Sequence, residues 1–155
     1  MSDTNEAGFP AATNVVVADR SGIHVQTKKV ETATNVYPGR LVIQGTNDDD
    51  IAVCGAQGEA LGWAGYEDTA KAYRPATIST IYTVNHFLAV VNGPGIIVRA
   101  SLASGQTVDK GSRLMAGANG ELSGGTVGTN EIVAIAEQSV ASTAAGTVIM
   151  VRSLI

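Results

Sequence analysis

Short apolar runs closed by glycine dominate this chain. VDKGSRLMAGANGELSGGTVGTNEIVAIAEQ, Val108 to Gln138, is the densest case, and VYPGRLVIQGTNDDD, Val36 to Asp50, does much the same earlier. Runs of a few apolar residues suit strands rather than packed helices, and glycine supplies the positive φ that tight reversals need. Such a chain is built for β-hairpins.

The two pieces are related. A shift of 72 residues, without a gap, places Val36 on Val108, Gly39 on Gly111, Gly45 on Gly117, Asn47 on Asn119, Glu59 on Glu131 and Ala64 on Ala136. Apolar positions follow: Val42 meets Leu114, Leu61 meets Val133, and Trp63 meets Ile135. Each unit reads as Val-x-x-Gly, a strand, a Gly/Asn turn, a polar stretch and a strand ending in Ala. Geometry accounts for these glycines without a ligand.

The rest of the chain also reads as strands. IHVQTKKVET alternates Ile23, Val25 and Thr27 against His24, Gln26 and Lys28, the pattern of a half-buried strand. GRLVIQG and DIAVCG flank the turn TNDDD. STIYTVNHFLAVV is β-branched and aromatic, so it is expected to be extended up to the reversal NGPG, Asn92 to Gly95. IIVRASL alternates Ile96, Val98, Ala100 and Leu102 against Ile97, Arg99 and Ser101. GTVIMVRSLI is nearly all apolar, as in a strand covered on both sides. GYEDTAKAYRPA has room for one helical turn before Pro75. The expected fold is all-β, a single small barrel of residues 21–155 behind an N-terminal arm of residues 1–20. That arm is polar and small apart from Phe9, Pro10 and Val15, Val16, Val17. Docking on a neighbour and a loose end followed by one edge strand both fit it.

At 155 residues one domain is expected. Charged residues make up 15%, below the usual share of about a quarter. Either partners cover part of the surface or the exterior is rich in Gly, Ala, Ser and Thr. A net charge of −4 with scattered Lys and Arg offers no stripe for phosphates, so direct nucleic-acid binding is not expected. The opening lacks the basic and apolar regions of a secretory signal, and FLAVV is far short of the ~18 residues of a membrane span. The chain is expected to be made in a reducing cytoplasm, without membrane attachment.

Groups that could do chemistry are scarce. His24 and His86 fall on separate strands with no carboxylate at ligand spacing. Three consecutive carboxylates in TNDDD lack the alternate spacing of a calcium loop and read as a solvated turn. Cys54, the single cysteine, ends an apolar strand and is expected to be buried and inert. No G-x-S-x-G elbow, G-x-G-x-x-G or P-loop occurs. Trp63, Tyr66, Glu67 and Asp68 in GWAGYEDT form the one aromatic-acid cluster, either a sugar-stacking surface or a packed loop. No catalytic, metal or cofactor site is expected.

The Gly-punctuated series carried by VDKGSRLMAGANGEL, by EIVAIAEQSVASTAAGTVIMVRSLI and, more loosely, by VYPGRLVIQG and ALGWAGYED resembles the capsid decoration, or cement, proteins of tailed-phage heads. The resemblance covers roughly residues 30 to 155, and YRPATISTIYTVNHFLAVVNGPG departs from it. It implies a β-barrel or β-tulip-like domain, usually a trimer, on the capsid exterior at local three-fold axes of the virion. There it binds the major capsid protein and holds the shell against internal pressure. The N-terminal arm, with Phe9, Pro10, Val15, Val16 and Val17, would be the capsid contact. A head fibre base, a tail or minor capsid component and, further off, a carbohydrate-binding module are the alternatives.

Overall fold

The computed structural model describes residues 14–18, 22–31, 35–144 and 146–155. Among the described residues eleven strands run in chain order: β1 (Val16–Ala18), β2 (His24–Val30), β3 (Leu41–Gln44), β4 (Asp50–Val53), β5 (Gly62–Ala64), β6 (Phe87–Asn92), β7 (Ile97–Ser101), β8 (Arg113–Ala116), β9 (Leu122–Gly124), β10 (Ala134–Ala136) and β11 (Val148–Ser153). Lys71–Tyr73 and Ala118–Gly120 form short 3-10 turns. The fold is all-β, as expected.

Strands β2 to β6 close into a barrel in the order β2-β4-β3-β5-β6. Beside it lies a six-stranded sheet, β1-β7-β11-β10-β8-β9. Without β1, the sheet repeats the strand order of the barrel in open form. Leu41 pairs with Trp63 and Val42 with Gly62; 72 residues on, Arg113 pairs with Ile135 and Leu114 with Ala134. The Gly39 N–H donates to the Ala64 carbonyl at 2.8 Å, and Gly111 to Ala136 at 2.7 Å. That bond is why Val-x-x-Gly recurs with a strand ending in Ala. Both glycines sit at positive φ, 79° and 90°, where a side chain would be strained.

The last strand of each copy follows a different shift. Val25 pairs with Val91 and Gln26 with Val90; in the second unit Ile97 pairs with Arg152 and Val98 with Val151. From β6 to β11 the displacement is therefore 61, because the β5–β6 connection spans residues 65–86 and the β10–β11 connection only 137–147. The two hairpins β3–β4 and β8–β9 also differ by one residue in register, Gln44 facing Ile51 but Ala116 facing Leu122.

The units divide the apolar residues unequally. Val30, Val42, Ile51, Ala64, Tyr82, Leu88 and Val90 fill the first barrel. Their strand neighbours Leu41, Trp63 and Val91 point outward and join Val98, Ala100, Leu114, Ala134 and Val151 of the second unit in the larger core. Trp63 is fully buried there and donates its indole N–H to Ser153 Oγ at 3.0 Å, so the outside of one barrel completes the inside of the other. Gly120, at φ 71°, lets the β8–β9 turn lie against the Leu41 carbonyl, 2.5 Å from where a Cβ would stand. Arg40 and Glu121 pair across the same seam at 3.2 Å.

Three local expectations give way. STIYTVNH is not a strand: residues 79–86 are irregular, and extension begins at Phe87. β11 buries alternate residues, Ile149, Val151 and Ser153, because it packs on one face only. β2 is exposed from His24 to Thr27 on both faces, and only Val30 is fully buried. NGPG does reverse the chain, with Gly93 and Gly95 at positive φ, but it passes the chain from barrel to sheet rather than joining paired strands.

Candidate binding surface

The N-terminal strand is fastened by the long β5–β6 connection. Glu67 directs its two carboxylate oxygens at successive backbone amides, accepting from Val15 N–H at 2.8 Å and from Val16 N–H at 2.9 Å. Charge-assisted bonds of this kind are about twice as strong as neutral ones. On the other side Val16 faces Val98 in the antiparallel β1–β7 pair, and the Arg99 N–H donates to the Val15 carbonyl at 2.8 Å. Arg99 also donates from its guanidinium to the Asn14 carbonyl at 3.2 Å. Val15 and Val16 are thus buried in the chain's own core, and Val17 is half-buried. Phe9 and Pro10 lie outside the described residues.

The connection itself is tied to the barrel by its polar groups. Tyr82 is buried, and its hydroxyl lies 2.9 Å from Thr69 Oγ1 and donates to the Gly65 carbonyl. Thr69 Oγ1 accepts from the Ala89 N–H at 3.0 Å. Burial pushes the Tyr82 phenol up to about 12. Arg74 donates to the carbonyls of Glu67 and Thr69 at 2.9 and 3.0 Å and lies over the Tyr66 ring. Tyr66 donates to the Pro75 carbonyl at 2.9 Å. Of the aromatic-acid cluster, Trp63 and Tyr66 are therefore packed, and the indole offers no open face for a sugar.

The exposed aromatics lie elsewhere. Tyr73 is 37% exposed and Phe87 42%, and their rings meet edge-on at 5.7 Å. His86 also meets Tyr73 edge-on, at 5.2 Å. With Thr27, Asp68, Ala70 and Ala89 these two rings line an open cleft of about 320 Å³ beside β2.

The other residues singled out in the sequence are dispersed. His24 opens β2 and His86 precedes β6. Asp48 and Asp49 are exposed in the TNDDD turn, whereas Asp50 is buried, accepting from the Asn47 amide at 2.6 Å and pairing with Lys29 at 3.2 Å. The Asn47 bond holds the Asp50 carboxyl below its ordinary range; burial opposes this and Lys29 assists it. Cys54 is buried, and burial, aided by the charge of Glu131, raises its thiol. Among the described residues no group of three or more His, Cys, Asp and Glu side chains is gathered for a metal. Sequence reasoning missed Glu67 as a clasp, since nothing local marks a carboxylate whose partners stand 51 and 52 residues away.

No protein-family model matches the chain, and no curated protein sequence does. Among solved structures, the fold is similar to the N base of head fibre gp8.5 of bacteriophage phi29. The TM-score is 0.54 at 14% identity, over 84% of this chain and 93% of the fibre base.

Proposed function

We propose that this chain is a non-enzymatic structural protein of a tailed-phage virion, attached to the outside of the head through the major capsid protein. The observation that carries this is the shared fold with a head fibre base, over nearly the whole length of that base. The repeated strand order adds a braced body: Glu67, Trp63 and Tyr82 use their polar groups on the β1 clasp, the seam and the barrel.

In this reading the protein decorates the assembled shell as a trimer at local three-fold sites. Val15 and Val16 anchor the N-terminal segment to the body, so that Phe9, Pro10 and Val17 are left to meet the capsid. A protein that binds only the assembled shell stabilises it by its binding free energy, and three linked contacts act with avidity. A second reading, the seat of a longer fibre, is favoured by the likeness to a fibre base in particular.

The test is to mix the purified protein with heads of the virus that encodes it and image the particles by electron microscopy. Added density at every local three-fold supports decoration, and a projecting continuation at those sites supports the fibre seat. Particles that stay bare, or carry the protein only on tails, overturn the head-surface reading. Deleting residues 1–13 should leave a folded body that no longer binds heads.

A further inference from the structure

We propose that the open edge of β2, His24 to Thr27, accepts an extended strand from a partner protein, an uncharged segment rich in β-branched residues. The duplication supplies the argument. β7 is the counterpart of β2, and its matching edge is occupied: β1 lies along Ile97 and Val98, and Arg99 donates its N–H to Val15. The 72-residue shift carries Ile97, Val98 and Arg99 onto Val25, Gln26 and Thr27. The pairings agree, since Arg99 faces Met150 and Thr27 faces Ala89. The Thr27 N–H therefore points away from β6, as the Arg99 N–H points away from β11. Among the described residues β4 covers only Lys29 and Val30, and no strand pairs with residues 24–27 on the edge facing away from β6.

Two independent features mark this edge as a receptor. Exposed strand edges invite pairing, and proteins usually blunt them with charge, proline or a bulge. Residues 24–27 carry no Lys, Glu or Pro, and Val25 is 41% exposed. At Thr27 the same stretch borders the cleft lined by Tyr73, Phe87 and Ala89, which extends over β6 and is built in part from the long connection. A strand added to β2 gains main-chain bonds from the edge and a side-chain pocket from the cleft, the two ingredients of strand-addition recognition.

The occupant follows from the same comparison. Asn14–Ala18, NVVVA, fills the equivalent edge of the second unit, so the partner segment should be alike: short, neutral and β-branched. β1 itself is engaged with β7 and Glu67. Under the proposed function this segment belongs to the head shell, but the edge can be tested without particles.

The probe is a synthetic peptide copying residues 12–18 of this chain, added to the full-length protein at fixed concentration. Amide exchange and chemical shifts are followed by NMR. At saturation the Val25 and Thr27 amides should exchange at least tenfold more slowly, with shifts at Tyr73 and Phe87. Thr27→Pro removes the outward N–H at an edge position that tolerates proline and should abolish the effect. Should that variant not fold, Val25→Lys serves the same purpose. The proposal is overturned if these amides are already slow without peptide, if peptide shifts fall elsewhere, or if protection rises with protein concentration alone, which would make a second copy the occupant. Failure of head binding with peptide binding intact would count against the proposed function and leave the strand receptor standing.

Discussion

The two halves of this molecule are one design executed twice with different endings. In the first, β2 meets β4 through Lys29–Asp50 and Val30–Ile51, and the barrel closes around its own core. In the second, the same junction is one parallel bridge, Leu102 to Leu122, and β1 takes the remaining edge of β7. The first unit has the longer connection, its Tyr82 filling the barrel and its Glu67 clasping β1. A repeat need not be used symmetrically: one copy completes itself, and the other is completed by its neighbour's outer face and by the N-terminal strand.

Substitutions at matched positions test that asymmetry. The largest difference should be at Trp63 and its counterpart Ile135. Trp63→Ala empties the shared core and removes the indole bond to Ser153, and should cost about 3–5 kcal/mol in denaturant unfolding. Ile135→Ala, half-buried on the second unit, should cost about 1–2 kcal/mol. Equal losses would mean that the seam between units is no core.

Next are Gly39 and Gly111. Both need positive φ, which alone costs an L-residue about 1–2 kcal/mol. A Cβ at Gly111 meets open space, whereas at Gly39 it collides with the Arg99 carbonyl. Gly39→Ala should therefore lose about 1–3 kcal/mol more than Gly111→Ala, since backbone must move to admit it. Thermal melts of the pair decide this.

Glu67→Gln keeps the shape and removes the charge, at about 1–2 kcal/mol. Its signature is local, with faster exchange at the Val15 and Val16 amides and unchanged exchange within the closed barrel.

The smallest effect is on acidity. By register the counterpart of Asp50 is Glu121, which pairs with Arg40 across the seam, whereas Asp50 pairs with Lys29 inside the first unit. Because its folded carboxyl is more acidic than the unfolded one, its stabilisation is complete above the unfolded value of about 4 and is lost as pH falls through the lower folded value. Wild type should lead Asp50→Asn in stability at pH 6, and the gap should narrow below about pH 4.

Much of this architecture was legible in the sequence. The all-β class, the hairpin about TNDDD and the 72-residue echo follow from turn chemistry and spacing, both local. What stayed hidden depends on distance or exposure. The echo fades after β5 because the longer connection changes the shift to 61, so β6 and β11 looked unrelated. STIYTVNH has strand composition, yet Tyr82 is drawn into the barrel and the segment bends to let it in. Val15 and Val16 suited a partner surface, and alternation cannot tell a neighbour's core from the chain's own. Alternation in β2 likewise promised a buried face, though whether a strand lies beside it is set by topology.

The clasp on β1 has a mechanical meaning. Tension applied at Asn14 cannot simply unzip a three-residue strand from β7, because Glu67 grips the same two amides from the opposite barrel. The pull is shared between both halves and borne in part as shear along the connection held by Thr69, Arg74 and Tyr82. A tether mounted this way transmits force into the whole body instead of peeling off its edge.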